Sequence, residues 1–132
     1  PTLAPGTILD SMGGLPLESL TRAAEATGFD AVLSEAPDGW NTVIGRGGIG
    51  LSVGQRQRLA LTRALAADSQ IVILDEPTAH LDAVSEETII GAINAMRAQG
   101  RTLIVIAHRS AVLDIADTVI DVTAAAIEEE RA

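Results

Sequence analysis

Apolar and polar positions fall into blocks with distinct periods along this chain. Leu17, Leu20 and Ala24 recur at helical spacing, with Glu18, Arg22 and Glu25 off the stripe. That pattern predicts an amphipathic helix over residues 17–27, ended by Gly28. A second short helix is expected around residues 31–35. Leu61 and Leu65, four apart, mark the core side of a helix capped by Ser52 and running to about Ala67. Ile89, Ile93 and Met96 mark another over residues 86–98, with Gly100 as its C-cap. Two short aliphatic runs, residues 71–75 and 102–107, read as parallel strands buried on both faces. A short helix over 111–116 and a third strand over 118–122 follow. The fold class expected is α/β.

Turn signals separate these blocks. Residues 1–12 read as an extended, turn-rich opening, with Pro5-Gly6 as a turn. Pro37-Asp38-Gly39-Trp40 is another, and Trp40 reads as a packing anchor rather than a binding platform. Glycines 45, 47, 48, 50 and 54 crowd one region. A flexible linker is one reading; their continuity with the next helix favours a structured loop. Residues 124–132, with three consecutive Glu, read as a solvated or frayed helix.

Composition narrows the picture. The chain has 132 residues, enough for one small domain, with one Trp, one Phe and no Tyr. Its core must come from Ala, Leu, Ile and Val. There is no Cys, hence no disulfide framework or thiolate metal site. No apolar run reaches membrane-spanning length, and no signal peptide is expected in this stretch. A net charge of −9 argues against nucleic acid as a partner. Arg46, Arg56, Arg58 and Arg63 are a local exception. They form either a solvated helix face or a positive rim near phosphates, and the second reading is favoured.

The chemistry concentrates after residue 50. Ser52 and Gly54 open a helix whose first N–H groups lack intrahelical partners, which suits an anion such as phosphate. The aliphatic run 71–74 ends in Asp75 and Glu76, a buried strand delivering carboxylates to its carboxyl end. His108 follows the second run and would reach the same crevice. Three such elements at one sheet edge describe a nucleotide site.

Four segments in register now resemble one family, the ATP-binding-cassette (ABC) ATPases. Leu51-Ser52-Val53-Gly54-Gln55 resembles their signature motif, and residues 71–76 (IVILDE) their Walker B strand with its catalytic Glu. Ala79-His80-Leu81-Asp82 is similar to their D-loop, and His108 to their switch histidine. The resemblance covers about residues 1–122. It implies a partial P-loop NTPase (ABC ATPase) core of parallel strands over 71–122. A helical subdomain carrying the signature would occupy 1–70, and an acidic tail 123–132.

The resemblance also implies roles. ATP and Mg²⁺ would be the cofactors. Glu76 would polarise the attacking water and His108 hydrogen-bond the γ-phosphate. Asp75 would hold Mg²⁺, a hard cation suited to carboxylate and water oxygens. Leu51, Ser52, Val53, Gly54 and Gln55 would face the γ-phosphate of an ATP held by the opposite subunit, with Asp82 at the dimer seam. Val53 replaces a commoner Gly. Residues 42–48 (TVIGRGG) resemble the loop that faces the transmembrane coupling helices, with Arg46 in place of the usual Glu. His80 is expected at the surface or interface.

Expected partners are a second nucleotide-binding domain and the transmembrane domain of an exporter, at the cytoplasmic face of the inner (plasma) membrane. The wording GLSVGQRQRLALTRAL, with Ala107-His108-Arg109-Ser110-Ala111-Val112-Leu113 downstream, is similar to the heterodimeric exporters of cysteine and glutathione needed for cytochrome bd assembly. Two other readings stand beside this one: a non-transport ABC ATPase of DNA repair or translation, and a non-catalytic truncated remnant. All nine basic residues are Arg. The phosphate-cradling loop Gly-x-x-x-x-Gly-Lys-Ser/Thr is therefore absent. Residues 1–8 resemble the exporter pattern just past the Q-loop, so the chain is expected to be a truncation that is inactive alone. Residues 71–75 should pair with 102–106. In the family the phosphate-loop strand lies next, so 118–122 should not pair directly with 102–106.

Overall fold

The computed structural model describes residues 6–122, and the expectations for residues 1–5 and for the acidic tail lie outside them. Two hydrophobic clusters organise the described chain, joined by one helix. In the first, strand β1 (Gly6–Thr7) pairs antiparallel with β2 (Val43–Ile44). Helices α1 (Leu17–Thr27) and α2 (Phe29–Glu35) follow β1, hinged at Gly28. Gly28 has φ +78°, a left-handed conformation that costs a glycine little. Ile8, Met12, Leu20, Phe29, Val32 and Ile44 are buried together with Leu59 of α3 (Val53–Ala66). Trp40 packs on Phe29 at 6.2 Å between ring centroids, so it is the expected anchor.

The second cluster is the α/β part. Strand β3 (Ile71–Asp75) leads to helix α4 (Ala83–Ala98), then to β4 (Thr102–Ile106) and the single turn α5 (Ser110–Leu113). β3 and β4 pair in parallel, from Ile71 opposite Thr102 to Asp75 opposite Ile106. This is the pairing expected from the sequence. Val72 and Leu74 bury against Leu61 of α3 and against Ile89, Ile93 and Met96 of α4. Helix α3 thus serves both clusters. Arg101 fixes its far end by donating to the Ala64 and Leu65 carbonyls at 2.8 and 3.0 Å. Those carbonyls lie in the last helical turn, where acceptors lack intrahelical donors.

Three expectations need correction. The strands are buried on one face only. Ile71 and Ile73 are 62% and 67% exposed, and Ile104 and Ile106 53% and 51%. Helices α3 and α4 cover one side of the pair, and among the described residues nothing packs on the other. Residues 118–122 form no strand, and Val119, Ile120 and Val122 are exposed. Among the described residues β4 has one ladder neighbour, β3, and a cleft of about 870 Å³ separates it from residues 118–122. A β-branched run becomes a strand only where a neighbour supplies its ladder bonds. The absence of pairing between 118–122 and β4 agrees with the expectation of a missing middle strand. Finally, α4 starts at Ala83 rather than residue 86, because Asp82 caps it. No helix among the described residues is long and apolar enough to cross a membrane.

Candidate functional site

Helix α3 opens with a reciprocal cap. Ser52 Oγ accepts from Gln55 N at 3.1 Å, and Gln55 Oε1 accepts from Ser52 N at 2.9 Å. This box satisfies two backbone donors. The N–H groups of Val53 and Gly54 have no carbonyl one turn earlier and sit at the positive end of the helix dipole. Val53 is 49% exposed, so this end faces solvent. A Cβ on Gly54 would lie 3.4 Å from Leu81 Cδ2, which sets the helix end against the 79–82 turn.

The second group sits at the carboxyl ends of β3 and β4. Asp75 is the last residue of β3 and is exposed. Glu76 follows with φ +49°, left-handed for a non-glycine residue. Such a conformation costs about 1–3 kcal/mol and persists only where the surroundings fix it. They do so here. Glu76 N donates to Ile106 O at 2.8 Å, and Glu76 O accepts from Ala79 N at 3.2 Å. Gln57 Nε2 donates to the same carbonyl at 3.0 Å. The Glu76 carboxylate, Oε1, lies 3.1 Å from His108 Nε2. His108 is largely exposed and Glu76 partly so. His80, also left-handed at φ +64°, is exposed.

Asp82 caps α4, its Oδ1 accepting from Ser85 N at 2.7 Å. The Ser85 backbone bond, the Ser85 side chain and the Arg58 charge hold its carboxyl below the ordinary aspartate value. Arg58 Nη2 also donates to Ser85 Oγ at 2.9 Å. Arg58 is therefore turned inward, away from any rim. Arg63 lies over Gly13. Arg46 and Arg56 remain exposed.

The structure thus brings Asp75, Glu76 and His108 to one edge of the sheet, as the sequence implied. Residues 51–55, expected at the same edge, abut the 79–82 turn through Gly54 and Leu81. Among the described residues no hydrogen bond joins them to Asp75, Glu76 or His108. Sequence reasoning missed Gln57 and read Arg58 as part of a phosphate rim, whereas both tie α3 to the two turns after β3. A signal was present, because Gln57, Leu61 and Leu65 fall on one four-residue stripe, and a polar residue on a core stripe needs a partner. Gln57 Oε1 is buried with no hydrogen-bond partner among the described residues. Leaving such an acceptor unsatisfied costs about 1–3 kcal/mol.

The ABC transporter family profile matches residues 7–79, more than half of the chain. The alpha-hemolysin translocation ATP-binding protein HlyB of Proteus vulgaris is 44% identical over 107 residues, 81% of this chain and 15% of that protein. The type I secretion system ATP-binding protein PrsD of Rhizobium meliloti is 44% identical over 103 residues, 78% of this chain and 18% of that protein. The ATP-dependent lipid A-core flippase of Alkalilimnicola ehrlichii is 44% identical over 113 residues, 86% of this chain and 18% of that protein. The chain therefore spans less than a fifth of the length of these relatives.

Proposed function

The chain belongs to the ABC transporter family, and on that premise we propose that it is the signature and Walker B portion of an exporter's ATP-hydrolysing subunit. The observation that carries this reading is the Glu76–His108 pair at the carboxyl end of a parallel strand pair, 3.1 Å apart. Phosphoryl transfer asks a protein for positioning and charge stabilisation. Glu76, held by its backbone, orients and deprotonates the attacking water. His108 holds the other side of the Glu76 carboxylate and reaches the γ-phosphate. Residues 1–70 are the helical, signature-carrying unit and 71–122 the nucleotide-facing part; the two hydrophobic clusters follow this division except at α3, whose Leu61 packs in the second.

Asp75 is the Mg²⁺ residue. Among the described residues no three acidic or histidine side chains cluster closely enough to hold a metal by themselves. A lone strand-end carboxylate fits Mg²⁺, which keeps waters and phosphate oxygens as its other ligands. When bound, the ion offsets the charge on the phosphates.

Leu51, Ser52, Val53, Gly54 and Gln55, with Asp82, serve an ATP held by a second nucleotide-binding domain. The lack of any hydrogen bond from residues 51–55 to Glu76 among the described residues, and the open N–H groups of Val53 and Gly54, support that division of labour. The transmembrane domain of the exporter is the other partner, and the site works at the cytoplasmic face of the inner membrane. Nucleic acid is not a partner, on charge. The relatives' names speak of hemolysin translocation, type I secretion and lipid A-core, so the cysteine and glutathione cargo rests on the wording of residues 50–65 and 107–113 alone.

Ser52→Arg in the intact parent tests the composite site. It should abolish ATP-dependent association of nucleotide-binding domains, read by light scattering; normal association would overturn the role of residues 51–55. Isolated, without a phosphate-loop Lys, the 132-residue chain should show no measurable Mg-ATP binding by calorimetry. Micromolar affinity would contradict that inactivity.

A further inference from the structure

We propose that Gln57 is a positioning residue for Glu76, carrying the placement of the Ser52 helix end to the carboxylate that activates water. The proposal rests on the reading of Glu76 as the general base. Its footing is geometric. Glu76 O is shared by two donors, Ala79 N at 3.2 Å and Gln57 Nε2 at 3.0 Å. The first belongs to the same tight turn and moves with it. The second comes from a different element, α3, and is the one side-chain bond to the Glu76 backbone among the described residues. With Glu76 N held by Ile106 O at 2.8 Å, the Glu76 peptide is fixed from β4 on one side and from α3 on the other. A residue at φ +49° needs that restraint, because the conformation is not a resting place for a glutamate.

The amide is oriented by this bond. Turning it over would set Oε1 against the Glu76 carbonyl, two acceptors facing each other. In the observed orientation Oε1 is left buried without a partner. Leu or Met on this core stripe would leave no such orphan. The side chain is therefore suited to its Nε2 bond and not to packing. Gln57 lies five positions after Ser52, about 7.5 Å along a helix axis. A helix transmits displacement over that distance as a rigid rod. Arg58, the next residue, holds Ser85 in the cap of α4, so α3 grips both turns that follow β3. A shift of the Ser52 end when it meets a phosphate thus reaches Glu76 of the same chain through one hydrogen bond. Residues 51–55 and Glu76 serve two different nucleotides, and Gln57, early in the same helix, links them.

The test uses the full-length parent transporter and steady-state phosphate release with Mg-ATP. Gln57→Met keeps the length and removes the donor. Misplacing a catalytic group costs rate more than affinity, so kcat should fall about 10- to 100-fold while KM for ATP stays within about twofold. Gln57→Glu, which retains the shape and offers no N–H, should show the same split, and serves if the Met variant fails to fold. In a Glu76→Gln background neither substitution should reduce the residual rate further, because Gln57 acts through Glu76. Wild-type kcat in both Gln57 variants, with Glu76→Gln strongly impaired, would overturn the proposal alone. Additive loss in the double variant, or a rise in KM matching the fall in kcat, would also overturn it by showing a merely structural role. Wild-type turnover in Glu76→Gln would remove Glu76 as the base, and the proposal with it.

Discussion

Thr27 and Thr62 make a buried relay whose energetics can be worked out from proton counts. Both residues are essentially inaccessible, at 1% and 0% exposure. Thr62 Oγ1 donates to Arg58 O at 2.6 Å, which uses its one proton. The 2.6 Å bond between the two hydroxyls must then be donated by Thr27. This bond ties α1 to α3 behind the signature end. Thr62→Val keeps the shape and deletes the acceptor. The Thr27 hydroxyl then falls back on Ala24 O at 3.4 Å, a poor contact. A stranded buried hydroxyl costs about 1–3 kcal/mol. Thr27→Val strands less, because Thr62 keeps its bond to Arg58 O, and should cost about 0.5–1.5 kcal/mol. The double variant removes both hydroxyls and should cost less than the two singles together, by about 1 kcal/mol. Urea unfolding read by the fluorescence of Trp40, the only Trp, measures all four corners of the cycle. Trp40 stacks on Phe29, whose N–H lies 3.4 Å from Thr27 Oγ1. With a urea slope of about 1–3 kcal/mol/M, Thr62→Val should lower the midpoint by about 1 M. Additivity within about 0.3 kcal/mol would refute the relay.

Two further outcomes follow from the same coordinates. Ile73→Thr with Ile104→Thr should raise the soluble yield of the chain. Since both side chains are more than half exposed, the pair should cost the isolated chain less than about 2 kcal/mol; a loss as large as that of two buried isoleucines would show that the face is covered. Asp82 has a carboxyl pKa depressed by its cap bonds. Its contribution is therefore present above the unfolded aspartate value near ~4 and is lost as pH falls through the lower folded value. Asp82→Asn, which can still cap, should remove that part of the acid sensitivity in Tm scans from neutral to about pH 2; an unchanged acid slope would contradict the assignment.

The parts most legible in the sequence were those where one signal had no competitor. The α1 stripe and Gly28 gave that helix at Leu17–Thr27, since an apolar face and a left-handed stop agree on one boundary. The aliphatic runs gave β3, β4 and their pairing. Periodicity did not tell whether a strand has two covered faces or one, because that depends on what lies outside the run. The same limit turned residues 118–122 into an expected strand that has no ladder neighbour. β1 and β2, two residues each, are too short to carry a period. At the site, Asp75, Glu76 and His108 were readable from their places at strand ends. Asp82 was read for its place in a motif, so its role as an N-cap, and the earlier start of α4, were missed. Gln57 stood out only as a polar residue on a core stripe; its partner is a backbone carbonyl, which leaves no trace in residue types.

The central claim is that Glu76 is the base of an ATP-hydrolysing site in the intact parent. Steady-state phosphate release by the full-length transporter carrying Glu76→Gln tests it most directly, with retained nucleotide measured on the same samples. A positioned base contributes about 10²–10⁴-fold, so release should fall by that factor while ATP remains bound. Unchanged phosphate release would contradict the claim, as would loss of ATP binding in a folded variant.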